Sequence, residues 1–254
     1  MVKAANAGHI GGSMSCMDIL VVLYYRLMDT KKIMNGAPDR DRFILSKGHC
    51  AEALYAVFAD IGFIEPALLK TFAAFDTALA KHPTRKITGV EAATGALGHG
   101  LPIGAGMGIA LKADRNPAAV YVLLGDGEMA EGSVWEAAMA AAKYKLNNLT
   151  AIVDRNRLQI SGNTEDVMPL DDLADKFRAF GWECRTCDGH EPEELIKTLK
   201  DKPLSKPLAV IAETVKGFGS AVMENKAEWH HLVPNDIEFE RIKNELTKRR
   251  NECG

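Results

Sequence analysis

The sequence predicts a doubly wound α/β domain, a mostly parallel sheet with helices on both faces. Residues 120–124 and 149–153 are short apolar runs rich in β-branched residues, without the polar alternation of a half-exposed strand, so both read as strands buried on two faces. Between them lies an Ala-rich stretch at helical spacing, which makes the unit strand, crossover helix, strand. Predicted strands and helices then alternate to the C-terminus, the order from which a parallel sheet is built.

A chain of 254 residues, 47% hydrophobic and 26% charged, suffices for one domain spanning 1–254, and no repeat, low-complexity tract or linker divides it. The net charge of −3, without a long Lys/Arg run, gives no electrostatic footprint for nucleic acid or an anionic membrane. There is no apolar run of 18 residues and no signal-peptide pattern, and the five cysteines are scattered, so a soluble cytoplasmic protein is expected.

Taken in order, Met17, Ile19, Leu20, Leu23, Tyr24 and Leu27 recur at helical spacing over 15–28, with Ser15 as the expected N-cap. The glycine-rich segment 8–12, carrying His9, leads into that helix; with only eight residues before His9, the chain is expected to be naturally short or trimmed there. Residues 42–45 read as a strand, 46–49 as the turn after it and 51–61 as a helix. Segment 98–113 reads as a helix with Pro102 in its first turn. Its glycines at 100, 104, 106 and 108 each cost up to about 1 kcal/mol of helix stability, so their use predicts close helix–sheet approach. Helix 173–180, strand 182–187, helix 192–199, strand 208–214 and a polar helix over 235–250 complete the series. Cys184, Cys187 and His190 have metal-like spacing, but residues three apart on a strand face opposite sides and no second such pair exists. They are read as strand residues, and His190 as part of a surface turn without a role.

The chemistry gathers where the first two of these buried strands end. Gly125, Asp126 and Gly127 follow one, and Asn156 follows the other thirty residues later, so both ends emerge at the same sheet edge. Ligands of open parallel sheets bind outside the carboxyl ends of the strands. Asp126 offers an anionic oxygen, Asn156 an amide oxygen and a nearby backbone carbonyl a third, a set suited to Mg²⁺ or Ca²⁺ shared with phosphate oxygens. Gly125 and Gly127 allow close approach of those phosphates, and the positive end of the following helix favours their charge. The tripeptide alone fits an ordinary turn equally well; the spacing to Asn156 favours a metal-bound diphosphate. Of the seven histidines, His9, His49, His99 and His190 directly follow glycine, where imidazole could donate, accept or exchange protons close to a ligand.

A GDG followed about thirty residues later by Asn resembles the thiamine diphosphate-binding motif. The blocks ANAGH at 5–9, DRFILSKGH at 41–49, KHP at 81–83 and GVEAATGALG at 89–98 extend the likeness to transketolases over essentially the whole chain, in family order. The resemblance implies the thiamine diphosphate-binding fold, with thiamine diphosphate and Mg²⁺ (or Ca²⁺) as cofactors. Carried over residue by residue, His9, His49, His82 and His230 line the substrate channel. Gly95 and Leu97 contact the cofactor rings, Ile160 packs on the thiazolium, and the Leu158 carbonyl joins Asp126 and Asn156 on the metal. Gly125 and Gly127 belong to the cofactor site, as does Glu131, an acidic position near the subunit interface. Without the resemblance, Leu97 and Ile160 would be ordinary core residues and Glu131 a helix-start carboxylate. His99 stands where the family commonly has glutamine, and His231 where it commonly has glycine.

The activity implied is transfer of a two-carbon ketol unit from a ketose phosphate to an aldose phosphate. Deoxyxylulose-phosphate synthase, dihydroxyacetone synthase and 2-oxo-acid dehydrogenase components share the GDG motif, and a non-catalytic regulatory homologue is a reading of another class. The blocks around His9, His49 and His82 favour transketolase over the dehydrogenases. Nothing after Cys187 resembles the pyrimidine-binding half of the family. A C-terminal transketolase subunit is therefore the implied partner, in an α2β2 heterotetramer active only when assembled. Met129, Val134, Trp135 and Met139 are expected at that interface, and the loops around His9 and His230 are expected to order on assembly.

Overall fold

A computed structural model describes residues 1–253. Five strands form one fully parallel sheet: β1 (Arg42–Leu45), β2 (Val120–Gly125), β3 (Leu149–Arg155), β4 (Glu183–Asp188) and β5 (Leu208–Glu213), in the spatial order β1-β2-β3-β5-β4. Eight helices position it: α1 (Ile10–Ser15), α2 (Met17–Val22), α3 (Ala51–Asp60), α4 (Gly100–Ala113), α5 (Gly132–Lys143), α6 (Leu173–Ala179), α7 (Pro192–Lys200) and α8 (Asp236–Cys253).

The apolar runs explain the layering. Along β2, Val120, Val122 and Leu124 face a core shared with Leu101 of α4, Val134 and Ala138 of α5 and Phe177 of α6. The alternate residues Tyr121 and Leu123 face Leu20 of α2, Leu54 and Phe58 of α3, and Leu195 and Leu199 of α7. Fully burying each such side chain contributes about 1.5–3 kcal/mol, which holds a helix layer on either face. All seven residues of β3 are buried. The chain steps from β1 through β2 to β3, passes along α6 to the edge strand β4, and returns along α7 to insert β5 beside β3. The reversal carries α7 to the face opposite α4, α5 and α6, as right-handed crossovers require.

The glycine-rich helix approaches the sheet as expected on one face only. A Cβ on Gly104 would come within 2.5 Å of Val122 Cγ2 and one on Gly100 would collide with Ser46, whereas Gly106 meets nothing within 4 Å. Three other expectations need correction. Segment 15–28 is not one helix capped by Ser15: α1 ends at Ser15, α2 stops at Val22 and a π-helical turn follows over Leu23–Leu27. The Ser15 hydroxyl is already used, donating to Asp154 Oδ2 at 2.6 Å. Gly127–Ala130 form a 3₁₀ turn, so α5 starts at Gly132 and its first residues do not line the cleft described below. Met129 and Val134 are core residues, 1% and 0% exposed, because they pack beneath β2 rather than outward. Trp135 donates its indole N–H to the Met129 carbonyl at 2.9 Å and stacks on Phe180, which leaves Met139 as the exposed apolar residue of the four.

Cys187 and Cys184 pack on opposite faces of the sheet, and burial pushes both thiols up to about 11. Among the described residues, no helix is long and apolar enough to cross a membrane.

Candidate functional site

A cleft of about 260 Å³ opens at the carboxyl ends of the strands. His9, His49, His82, Gly95, Leu97, Gly125, Asp126, Gly127, Asn156, Leu158, Ile160 and His230 all line it. Glu131, the remaining candidate, is exposed at the start of α5 and outside the cleft. Ile160 is 60% exposed, so it is no core residue; its apolar side chain faces the cleft.

The floor is built from the ends of β2 and β3. Gly125 pairs in register with Asp154, which sets Asp126 beside the chain leaving β3. Asp126 accepts from the Gly127 N–H at 2.8 Å and from the Arg157 N–H at 2.5 Å, and lies 3.4 Å from Arg155 Nη1. Arg157 sits at φ 64°, a left-handed conformation costly for a non-glycine residue, and the bond to Asp126 holds it there. This turn folds the chain back, so that Asn156 Oδ1 accepts from the Leu158 N–H at 3.1 Å. Burial, followed by repulsion from Asp154, pushes the Asp126 carboxyl up to about 6. A carboxylate, an amide oxygen and the Leu158 carbonyl therefore share one cleft, and a hard divalent cation fits both the donor chemistry and the unfavourable charge on Asp126.

Three further residues complete the floor, and sequence reading missed all of them. Lys47 forms a fully buried ion pair with Asp154 and donates to the Gly12 carbonyl at 3.2 Å. Burial opposes the Lys47 charge, but Asp154 overrides it and holds the ammonium well above its usual range. Lys216 donates to the Leu158 carbonyl at 2.9 Å, and burial together with Lys47 pulls it down. Glu128 accepts from Ser46 and from the Gly98 and Gly125 N–H groups at 2.8 and 3.1 Å, tying the β1 turn, the start of α4 and the GDG turn together. Their signal was present, since Lys47 follows β1, Lys216 follows β5 and Glu128 directly follows GDG, but charged residues in turns are common and spacing alone does not select these.

Four imidazoles form the wall. Ring centroids of His9 lie 5.2 Å from His49, 5.6 Å from His230 and 6.3 Å from His82, and those of His49 and His230 lie 5.1 Å apart. Glycine makes this proximity possible: a Cβ on Gly11 would lie 2.7 Å from the Trp229 carbonyl, so the His9 and His230 loops could not close. Burial, then the nearby His49, lowers His9 to about 4; burial, then Lys216, lowers His230 to about 3. His82 is lowered by burial and His49. His9 and His230 are therefore neutral near pH 7, able to donate to and accept from hydroxyls and carbonyls. The Nδ1 atoms of His9 and His230 are buried without a hydrogen-bond partner. Behind the wall, Glu52 accepts from the His9 N–H and from Ser13 Oγ, and burial pushes it up to about 7.

The two departures, His99 and His231, are exposed and do not line the cleft. His190 is not a bystander in a surface turn. Its ring is buried against Phe218, its Nε2 accepts from the Val215 N–H at 2.9 Å and its Nδ1 is 2.8 Å from Asp18, so Nδ1 is the nitrogen that donates. The ring thereby anchors the segment that carries Lys216.

Comparison with known proteins places the chain in a family. Residues 1–251 match the family model described as transketolase, thiamine diphosphate binding domain. The chain is 47% identical over 251 residues to an apulose-4-phosphate transketolase subunit of Phocaeicola vulgatus, covering 98% of this chain and 89% of that one. It is 38% identical over 246 residues to the 6-deoxy-6-sulfo-D-fructose transketolase subunit SqwG of a Clostridium species, covering 96% and 90%. The crystal structure of Campylobacter jejuni transketolase superposes with a TM-score of 0.90 at 30% identity, over 97% of this chain but 40% of that one. The chain thus spans well under half the length of that solved relative.

Proposed function

The chain belongs to the transketolase family as a thiamine diphosphate binding domain, and from that premise we propose that it is the N-terminal subunit of a two-chain transketolase. One observation carries the proposal. The oxygen set of Asp126, Asn156 and Leu158 shares a single cleft with four histidines, of which burial holds His9, His82 and His230 below their ordinary range.

In this reading Asp126, Asn156 and the Leu158 carbonyl hold Mg²⁺, with Ca²⁺ as a substitute, against the diphosphate of thiamine diphosphate. Lys47 and Lys216 offset the added negative charge from the floor. Gly95, Leu97 and Ile160 cover the cofactor rings, and the bound cofactor supplies the electron sink for carbon–carbon bond cleavage. His9, His49, His82 and His230 orient the hydroxyls and carbonyl of the sugar and exchange protons with its oxygens. The donor is a ketose phosphate and the acceptor an aldose phosphate. Two relatives are named for anionic sugars, one a phosphate and one a sulfo sugar, which supports an anionic substrate without fixing the sugar.

The partner is a C-terminal subunit carrying the pyrimidine-binding domain, in a cytoplasmic α2β2 heterotetramer. The naming of those relatives as subunits and the longer chain of the solved structure support it. Glu131, exposed beyond the cleft, is assigned to that interface. The test is ketol transfer from xylulose 5-phosphate to ribose 5-phosphate by the assembled pair. Asp126→Ala should abolish turnover and weaken cofactor binding by calorimetry; wild-type values for both would overturn the assignment.

A further inference from the structure

Three histidines gather where the His9 and His230 loops meet. His9, His230 and His231 each offer one ring nitrogen, and these nitrogens lie within 4.8 Å of one another. The ring centroids are 5.6 Å apart for His9 and His230, 4.4 Å for His9 and His231, and 5.0 Å for His230 and His231. Trp229, buried beneath them, fixes the His230–His231 segment, and its carbonyl packs on Gly11 next to the His9 loop.

The donor chemistry differs from that of the floor. Three imidazole nitrogens suit zinc and its neighbours, whereas Mg²⁺ and Ca²⁺ prefer oxygen ligands. Burial keeps His9 and His230 unprotonated near neutral pH, so their lone pairs are available. Their Nδ1 atoms are buried and lack any partner within the chain. Nitrogens of a tetrahedral zinc site stand roughly 3.3 Å apart, so the rings must draw together slightly. His231 is exposed and free to rotate about its side-chain torsions to do so.

We propose that His9, His230 and His231 form a site for one zinc-class divalent cation, distinct from the oxygen site on the floor. A cation held there occupies two imidazoles that the proposed function assigns to the sugar. Zn²⁺ at that position would therefore compete with the sugar. The binding itself does not rest on the thiamine diphosphate reading, and the Co²⁺ titration that tests it is run without that cofactor.

The experiment is titration of the full chain with Co²⁺ in excess Mg²⁺, following the intense visible absorption of tetrahedral Co²⁺, with Zn²⁺ calorimetry alongside. The expected result is one equivalent bound, with affinity falling at least tenfold in His231→Ala while Mg²⁺-dependent binding of thiamine diphosphate is unchanged. Unaltered Co²⁺ affinity in His231→Ala would overturn the site, as would an absorption band that disappears in Asp126→Ala but persists in His231→Ala. Failure of the cofactor reading would show separately, as absence of thiamine diphosphate binding by the wild-type assembled pair.

Discussion

The floor and the wall of the cleft are built from the same kind of material, polar side chains in turns after strands, yet they are finished to different degrees. On the floor, Asp126, Asp154, Lys47 and Asn156 all have hydrogen-bond partners from this chain, several of them from segments far apart in sequence. On the wall, the His9 and His230 Nδ1 atoms have none, although both are buried. The floor is a prepared site held by folding energy, whereas the wall leaves its bonding capacity for whatever enters. Substitutions in the buried ion pair of the floor should therefore register as stability, and substitutions on the wall as turnover with the fold intact.

The largest expected effect follows from the buried ion pair. Lys47→Met leaves Asp154 buried without its cation and should destabilise the chain by about 3–5 kcal/mol, whereas His82→Ala should cost less than about 1 kcal/mol. Urea unfolding of both variants checks the contrast, and similar losses would break it. Next come the wall residues in the assembled enzyme. His82→Ala and His230→Ala should lower kcat/KM by roughly 10²–10⁴-fold with the fold intact by circular dichroism. Wild-type kcat/KM across several ketose donors would remove them from the site.

The smallest effect lies where wall meets core. Glu52 is raised to about 7 in the folded chain from an ordinary 4.5, so between those values the folded state binds more protons than the unfolded one. Its contribution to stability therefore falls as pH rises from 4.5 to 7 and levels off above. Glu52→Gln cannot ionise and escapes that loss. The variant should gain on wild type by about 2–3 kcal/mol between roughly pH 4.5 and pH 8. A stability difference independent of pH, measured by urea titration at several pH values, would show that the carboxyl is not held neutral.

The fold was legible because its signals are local. Apolar runs named β2, β3 and β5, the alternation with helices placed β1 and β4, and the strand ends put Asp126 and Asn156 on one edge. The site was legible as far as single residues at strand ends, helped by the family blocks. What stayed hidden is what depends on distant segments meeting. Lys47 and Asp154 are 107 residues apart, Ser15 and Asp154 are 139 apart, and His190 reaches Asp18 across 172. Ser15 in particular has the composition of an N-cap, and only the tertiary bond to Asp154 explains why it caps nothing. Met129 and Val134 were misplaced for a related reason, since an apolar helix face looks the same whether core or partner covers it.

Ketol transfer by the purified chain, supplied with thiamine diphosphate and Mg²⁺ but without a second subunit, tests most directly whether a finished floor and an unfinished wall make half an enzyme. The account predicts no transfer from the chain alone and transfer once the C-terminal subunit is added; robust transfer by the chain alone would contradict it.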